Sequence, residues 1–210
     1  MRIGMVWGKT NSLRWAVRVG AAAALSVAAS GIGHASPIVI NGQLPKGHCT
    51  KAIYGTHGDD VLDGSDSRCD ETIFGLPGND VLIGGRGKNV LIGGRGQDTL
   101  TGGAKNFDTL FVFRAHSSEP QSPDVITDFV DSGPFADYIS LVGVCPKSGC
   151  TFLGTTAFSS SAGEIRYEVL EKKGQSITEL MADSDGDGSA DLVVDLVGAQ
   201  KLTKQNVLFR

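Results

Sequence analysis

The chain has 210 residues; 29 of them are glycine, whereas aromatic residues make up only 7%. This composition argues against a core of packed helices, because glycine weakens helices and few large side chains are present to fill the spaces between them. The formal net charge of −4 argues against nucleic acid and anionic membranes as partners, and it fits a protein that takes up divalent cations.

Residues 1–35 have the layout of a secretory signal peptide. Four basic residues and no acid precede a short apolar run at 19–29, and the small residues Gly33 and Ala35 stand just before Ser36. The run is shorter than the ~20 residues of a membrane-spanning helix, so we predict cleavage and secretion, with an uncleaved anchor as the alternative. Cleavage would remove four of the 19 Lys and Arg residues and none of the 23 acids, which changes the net charge from −4 to −8. No later stretch is long and apolar enough to span a membrane.

The four cysteines predict disulfides, because an even number behind a signal peptide is typical of an oxidising compartment. Cys145 and Cys150 surround a Pro/Gly turn, so a local bridge between them is geometrically easy. Cys49 would then pair with Cys69 and attach a lead-in segment, residues 36–53, to the chain that follows. Residues 37–40 have the composition of a first strand. Two other pairings are alternatives, whereas zinc is disfavoured because no C-x-x-C pair is present.

A nine-residue phrase, G-G-x-G-x-D-x-L-x, recurs in register from residue 54 to residue 110. The six units are 54–62, 63–73, 74–82, 83–91, 92–100 and 101–110, of which the second has two extra residues and the last has one. The glycines allow a tight turn, and a stretch such as Asp98-Thr99-Leu100 suits a short strand with its leucine inward. This pattern is typical of a parallel β-helix that binds Ca²⁺. Two units form one coil, so alternate units are predicted to stack.

Stacking places the sixth-position residues in two columns, one with Asp60, Asp80 and Asp98 and the other with Glu71, Asn89 and Asp108. Stacked carboxylates repel one another without a counter-ion, and carboxylate and carbonyl oxygens are the ligands that Ca²⁺ prefers. We therefore predict several Ca²⁺ ions between the coils. The predicted ligands in the turns are Gly58, Gly75, Gly78, Gly84, Gly85, Gly87, Gly93, Gly94, Gly96, Gly102 and Gly103.

The first column is predicted to bind Ca²⁺ more tightly than the second. Asn89 carries no charge, Glu71 lies in the enlarged second unit, and Asp108 follows an inserted residue. The alternative is that these acids only face water in flexible glycine-rich turns. A register kept over six units is far more specific than glycine-rich composition, so we favour the calcium interpretation.

Strand-like segments follow the repeats. They lie at 108–113, 124–129, 137–141, 164–170, 176–181 and 191–197, and most alternate apolar with polar residues. Residues 114–123 are polar and predict a loop. No apolar period near 3.6 residues appears, so a helical domain is not expected.

A second calcium candidate is the stretch from Asp183 to Asp191. Asp183, Asp185, Asp187 and Asp191 place oxygens at positions one, three, five and nine of an EF-hand-type loop, and Gly188 stands at position six. The glutamate of position twelve is absent. The alternative is an acidic turn between two strands.

The repeats resemble the haemolysin-type (RTX) calcium-binding repeats, which form a parallel β-roll. The later segment resembles the C-terminal domain of serralysin-type secreted metalloproteases, with matching stretches at 108–113, 124–129, 137–141, 163–167, 183–191 and 202–209. This resemblance implies an all-β fold: a parallel β-roll over residues 54–113, capped by a β-sandwich-like region over residues 114–210.

Two features depart from the metalloproteases. The chain has no H-E-x-x-H, and its four histidines are isolated, so the protease itself is missing. Export in that family depends on the C-terminus, whereas this chain has an N-terminal signal peptide. The chain also lacks G-x-S-x-G and P-loop motifs. The sequence thus predicts a secreted, non-catalytic module whose folding or rigidity depends on extracellular Ca²⁺; a secreted hydrolase or hydrolase subunit, and a surface adhesion or matrix protein, are the alternatives. It does not identify a protein or surface partner.

Overall fold

The computed structural model describes residues 49–146 and 149–209. The predicted signal peptide, most of the lead-in segment and its expected strand at 37–40 lie outside these residues. The described chain is all β, with no helix. Its strands are β1 (Thr50–Tyr54), β2 (Val61–Asp63), β3 (Asp70–Pro77), β4 (Val81–Ile83), β5 (Asn89–Arg95), β6 (Thr99–Thr101), β7 (Thr109–Val112), β8 (Asp124–Ile126), β9 (Tyr138–Ser140), β10 (Thr151–Gly154), β11 (Glu164–Lys172), β12 (Gln175–Asp183), β13 (Leu192–Val197) and β14 (Val207–Leu208).

The strands form two sheets, and consecutive strands of the repeats alternate between them. The first sheet has the order β1-β3-β5-β7-β9-β14, and the second has the order β10-β11-β12-β13-β8-β6-β4-β2. Every strand pair within the repeats is parallel, and alternate units stack as predicted. The predicted parallel β-roll is therefore confirmed.

The core lies between the two sheets and follows from the period of two residues along each strand. Ile73, Leu91, Phe111 and Ile139 occupy matched positions on neighbouring strands of the first sheet, and all four are fully buried. A fully buried row faces them from the second sheet, with Leu82, Leu100, Ile126 and Leu196. Burial of one such side chain contributes about 1.5–3 kcal/mol.

The C-terminal strands continue the sheets of the roll. In the second sheet β13 pairs with β8 in parallel, and the antiparallel strands β11 to β13 widen this sheet. In the first sheet β14 adds to β9. The described residues 49–146 and 149–209 belong to one compact unit. Both sheets thus contain strands from either side of the predicted boundary at residue 113, and that boundary stays a prediction.

Two disulfides fix parts of the chain, in the pairing that the local-bridge argument favoured. Cys49 and Cys69 precede the neighbouring strands β1 and β3, with 4.7 Å between their Cα atoms. Cys145 and Cys150 enclose the loop before β10, with Cα atoms 5.4 Å apart. The part of the chain that the structure describes has no helix that is long and apolar enough to cross a membrane.

Candidate metal centre

One edge of the roll carries a vertical row of aspartates, here called the aspartate column: Asp60, Asp80, Asp98 and Asp124. The backbone N–H of Asp60 donates to Oδ1 of Asp80 at 2.8 Å, and the N–H of Asp80 donates to Oδ1 of Asp98 at 2.8 Å. The N–H of Asp98 donates in turn to Oδ1 of Asp124 at 2.7 Å. The carboxylates of Asp80, Asp98 and Asp124 therefore each tie their own coil to the preceding one through one oxygen.

The second oxygen of three of these carboxylates has no partner. Oδ2 of Asp80, Asp98 and Asp124 is buried and accepts no hydrogen bond within the described residues. A buried carboxylate oxygen without a donor is unfavourable unless a cation approaches it. The aspartate column thus presents three stacked carboxylate oxygens that are shielded from solvent and accept no hydrogen bond from the described residues.

The pKa values of these carboxyls show the same imbalance. Burial raises the pKa of Asp98 to about 6 and that of Asp124 to about 8, and repulsion from the neighbouring carboxylate of the column adds to the effect. Burial also raises the pKa of Asp80, although the N–H of Asp60 opposes the shift. A bound divalent cation would reverse these shifts, because it stabilises the ionised form.

The glycines that open the turns complete an oxygen-lined cradle. A Cβ atom on Gly55 would come within 2.8 Å of Oδ2 of Asp60 and 2.5 Å of the carbonyl oxygen of Gly75. A Cβ atom on Gly75 would collide with Oδ2 of Asp80 and with the carbonyl oxygen of Gly93. A carboxylate oxygen of one coil and the glycine carbonyl of the next coil therefore converge on one point. Oδ2 of Asp80 is free there, whereas Oδ2 of Asp60 accepts the N–H and the hydroxyl of Thr56 at 2.6 Å and 2.9 Å.

The opposite edge carries the mixed column: Glu71, Asn89, Thr109 and Asp137. Strand register aligns the first three residues, and the N–H of Thr109 donates to Oδ1 of Asp137 at 2.7 Å. Nδ2 of Asn89 donates to the carbonyl oxygens of Gly85 and Gly102 at 3.2 Å and 2.8 Å. The amide therefore occupies carbonyls that a cation would need.

Asp108 was wrongly placed in this column. Register aligns Thr109, not Asp108, with Asn89, and Oδ1 of Asp108 lies 3.0 Å from the ammonium of Lys88 at the surface. The reason is core packing, because Phe111 takes the inward position beside Leu91 and fixes which residues alternate outward. As a metal ligand Asp108 stays a prediction with no support from the column.

Glu71 occupies the mixed column as predicted. Of the acids in this column, it is the one whose carboxylate oxygens accept no hydrogen bond. Both of its carboxylate oxygens are buried without a hydrogen bond, and the ammonium of Lys51 lies 3.8 Å from Oε1. A Cβ atom on Gly85 would come within 2.9 Å of three oxygens, which belong to Gly64, Ser67 and Glu71. This donor set of one carboxylate and two carbonyls suits Ca²⁺.

The remaining predicted glycines mark where coils approach most closely. An added Cβ atom would meet backbone atoms of a neighbouring coil at six of these glycines: Gly78, Gly84, Gly87, Gly94, Gly96 and Gly103. On Gly102 the added Cβ would meet Thr109 and Phe111, and on Gly93 it would collide with Asp98 of its own turn. Gly58 is the exception, because its nearest neighbour would be Oγ1 of Thr56 at 3.9 Å.

Asp124 and Asp137 extend the two columns by one coil, and sequence reasoning missed both as site residues. The distance along the chain from Asp98 to Asp124 is 26 residues, whereas Asp80 and Asp98 are 18 apart. The loop at 114–123 interrupts the period. The sequence signal that could have identified them is the acid at the start of each later strand, Asp124 at β8 and Asp137 just before β9.

The acidic loop of residues 183–191 joins β12 to β13, without flanking helices. Asp183 is fully buried and accepts the N–H groups of Gly186 and Gly188 at 2.6 Å and 2.9 Å. One oxygen from each of Asp183, Asp185 and Asp187 lies within 4.8 Å of the others.

Asp191 lies apart from this cluster and closes the loop. Its Oδ2 accepts the N–H and the hydroxyl of Ser184 at 2.7 Å and 2.6 Å. Burial alone would raise the pKa of Asp191, but these bonds and the N–H of Asp185 lower it. The structure thus brings three of the four predicted acids of this loop together.

The fold and the stacked oxygens define a β-roll of the RTX calcium-binding type. The model of the family described as peptidase M10 serralysin C terminal matches residues 57–209, and the chain belongs to that family. Repeats of this kind typically bind calcium. The resemblance drawn from the sequence is confirmed.

Two solved structures with the same fold are parts of one enzyme. The AlgE6R3 subunit of the Azotobacter vinelandii mannuronan C5-epimerase is 25% identical, with a TM-score of 0.52, over 74% of this chain and 80% of that one. The AlgE6R2 subunit is 27% identical, with a TM-score of 0.52, over 76% of this chain and 92% of that one. No curated protein matches the chain.

Proposed function

We propose that this chain is a secreted, non-catalytic calcium-binding module whose roll folds or stiffens when extracellular Ca²⁺ binds between its coils. The observation that carries the proposal is the set of buried, unpartnered carboxylate oxygens on Asp80, Asp98 and Asp124. Oδ2 of Asp80 points into a turn where Gly75 leaves room and the carbonyl oxygen of Gly93 approaches, and Oδ2 of Asp98 points toward Gly93. The membership of the serralysin C-terminal family supports the same role.

Asp80, Asp98 and the glycine carbonyls would hold ions along the aspartate column, and Glu71 would hold one at the mixed column. A bound ion supplies positive charge that screens the stacked carboxylates. Because the unfolded chain has no stacked coils, Ca²⁺ binds the folded state preferentially and stabilises it in proportion to the logarithm of its free concentration. Cells keep cytosolic Ca²⁺ low, so the module would remain loose until it is exported.

Secretion is part of the proposal, and the two disulfides support it. Disulfides form in oxidising compartments and are rare in reducing ones. Cys49–Cys69 ties the first strand to the roll, so oxidation and calcium would act on the same coil.

Calcium titration of the purified, oxidised chain tests the proposal. The sample is first stripped with a chelator, and binding is followed by calorimetry and far-UV circular dichroism. We expect several bound ions and a large gain of β signal. Mg²⁺ at equal ionic strength is the control, since it demands tighter octahedral geometry than carbonyl-rich turns supply. Absence of both binding and spectral change would refute the calcium role.

The similarity to epimerase subunits favours a second candidate, an accessory module within a carbohydrate-active enzyme system. In that case the roll would position or bind a substrate for catalysis elsewhere. Catalytic turnover by the purified chain on acidic polysaccharides would overturn the non-catalytic part of the proposal.

A further inference from the structure

A groove on the outer face of the first sheet carries features that calcium binding does not use. It encloses about 430 Å³ beside the turns that follow β3, β5 and β7. Its apolar floor and charged rim include Leu76, Pro77, Ile92, Val112, Arg95 and Arg114. Ile92 continues a row that runs back to the stacked rings of Phe74 and Tyr54, whose centroids are 4.9 Å apart.

Backbone strain is concentrated at this groove. Four non-glycine residues in the described chain have positive φ, and two of them, Leu76 (φ 80°) and His116 (φ 61°), line the groove. Leu76 stands where the repeat has its second glycine, because register aligns it with Gly94. A leucine in this conformation is a true outlier, and strain of this kind persists only where the surrounding structure holds it, most often at ligand-binding and active sites. Here the strained leucine places an apolar side chain, 37% exposed, at the groove.

Two arginines give the groove a positive charge within an acidic protein. The guanidinium groups of Arg95 and Arg114 make no ion pair and no hydrogen bond within the described residues, whereas Arg166 pairs with Glu168. Arg114 is held in a tight turn, because its N–H donates to Oγ of Ser117 and its carbonyl accepts the N–H of Ser117, both at 3.0 Å. His116 at the rim faces Glu119 at 3.9 Å.

We propose that this groove binds an acidic polysaccharide through the carboxylates of its sugars. Guanidinium groups bind carboxylates in bidentate fashion, and the aliphatic floor offers a surface for the apolar faces of sugar rings. A peptide is less suited, because the floor strands β3, β5 and β7 are each paired on both sides, so no strand can be added there. The inference goes beyond the proposed calcium role.

The roll supplies a matched control for the charge. Arg86 occupies the same place in its repeat unit as Arg95, but its unit belongs to the opposite edge of the roll. The test uses the full chain in Ca²⁺, a short oligogalacturonate that does not gel, and calorimetry. We expect Arg95→Ala and Arg114→Ala each to weaken binding about tenfold, and Arg86→Ala to leave it unchanged.

The inference would be overturned by no binding of oligogalacturonate, by an equal loss in Arg86→Ala, or by equal binding of an oligoglutamate of the same charge. Tight self-association that blocks the groove, detected by sedimentation, would also overturn it. Calcium stoichiometry measured on the same arginine variants should be unchanged, so that failure of the groove and failure of the calcium role are distinguished.

Leu76→Gly separates recognition from folding. Glycine removes the strain as well as the apolar contact, so the free energy of unfolding should not fall, whereas affinity for oligogalacturonate should fall several-fold. Lower stability with unchanged affinity would mean that Leu76 is structural and would count against the groove.

Discussion

The backbone N–H of Asp80 donates to Oδ1 of Asp98 at 2.8 Å, and the other oxygen of Asp98 is left buried without a partner. The same carboxylate therefore has two separate tasks. One oxygen fixes the register between coils, and the other is available to a cation. Mutations in the two columns should separate these tasks.

The two columns should differ in calcium capacity. We expect Asp80→Ala to lower the number of bound Ca²⁺ ions, whereas Asn89→Ala should leave it unchanged, because the Asn89 amide already donates to Gly85 and Gly102. Asp108→Asn, outside both columns, is the control. Stoichiometry is measured by calorimetry with disulfides intact. Equal losses in Asp80→Ala and Asn89→Ala would contradict the distinction.

Asn89→Asp should create a further ion site. The carboxylate would no longer donate to the two carbonyls, so the calcium-free protein should lose about 1–3 kcal/mol of stability. With Ca²⁺ present, one more ion should bind and stability should recover. Asn79→Asp adds the same charge at an exposed turn where Oδ1 of Asn79 accepts the N–H of Gln97, and it should not add an ion. An unchanged stoichiometry in Asn89→Asp would disprove the prediction.

The calcium-free chain should be more stable at pH 5 than at pH 8. Burial raises the pKa of Asp98 and Asp137 to about 6 and that of Asp124 to about 8, against a usual value of 3.8. Between the usual pKa of 3.8 and the raised pKa values of the folded state, the folded state binds more protons than the unfolded state. The free energy of unfolding therefore falls as the pH rises through this range. Acids with lowered pKa, such as Asp191, act only below about pH 4 and do not affect this window.

Urea unfolding in chelator at several pH values measures this dependence. Asp124→Asn should flatten it, because the amide does not ionise. Saturating Ca²⁺ should restore stability at pH 8 and be less effective at pH 5, where protons compete. A stability that increases from pH 5 to pH 8 without Ca²⁺ would show that the buried carboxyls do not titrate as described.

Two glycines of the repeats should respond differently to alanine. A Cβ atom on Gly93 would collide with the carboxylate of Asp98, whereas on Gly58 it would enter nearly open space. We expect Gly93→Ala to cost about 1–3 kcal/mol, as overpacking does, and to weaken Ca²⁺ binding. Gly58→Ala should change stability by less than about 0.5 kcal/mol. Chemical denaturation in Ca²⁺ compares them, and similar costs would argue against a cradle at Gly93.

The repeat phrase was sufficient to predict the roll, because its period specifies both the turn and the inward leucine of each unit. It was also sufficient to place Asp60, Asp80 and Asp98 in one column. It failed at Asp108, where the enlarged turn leaves the register open and the bulky Phe111 decides which face of β7 points inward. The short strands β10 and β14 were missed, since their few residues carry little pattern of their own.

The groove could not be predicted from the repeats. Leu76 departs from the phrase, but only the structure shows its positive φ and its position beside Arg95 and Arg114. The chain brings these residues together across neighbouring strands that are far apart in sequence.

Within the described residues, β1 and β2 are edge strands of the two sheets, and the roll does not close on itself. Its length is therefore set by the number of repeats and not by geometry. Inserting one 18-residue coil, the interval from Asp80 to Asp98, would move the ends apart by one strand spacing of about 4.8 Å. Chains with different numbers of repeats would therefore form a series of rigid spacers, in which each duplicated coil lengthens the roll by one strand spacing.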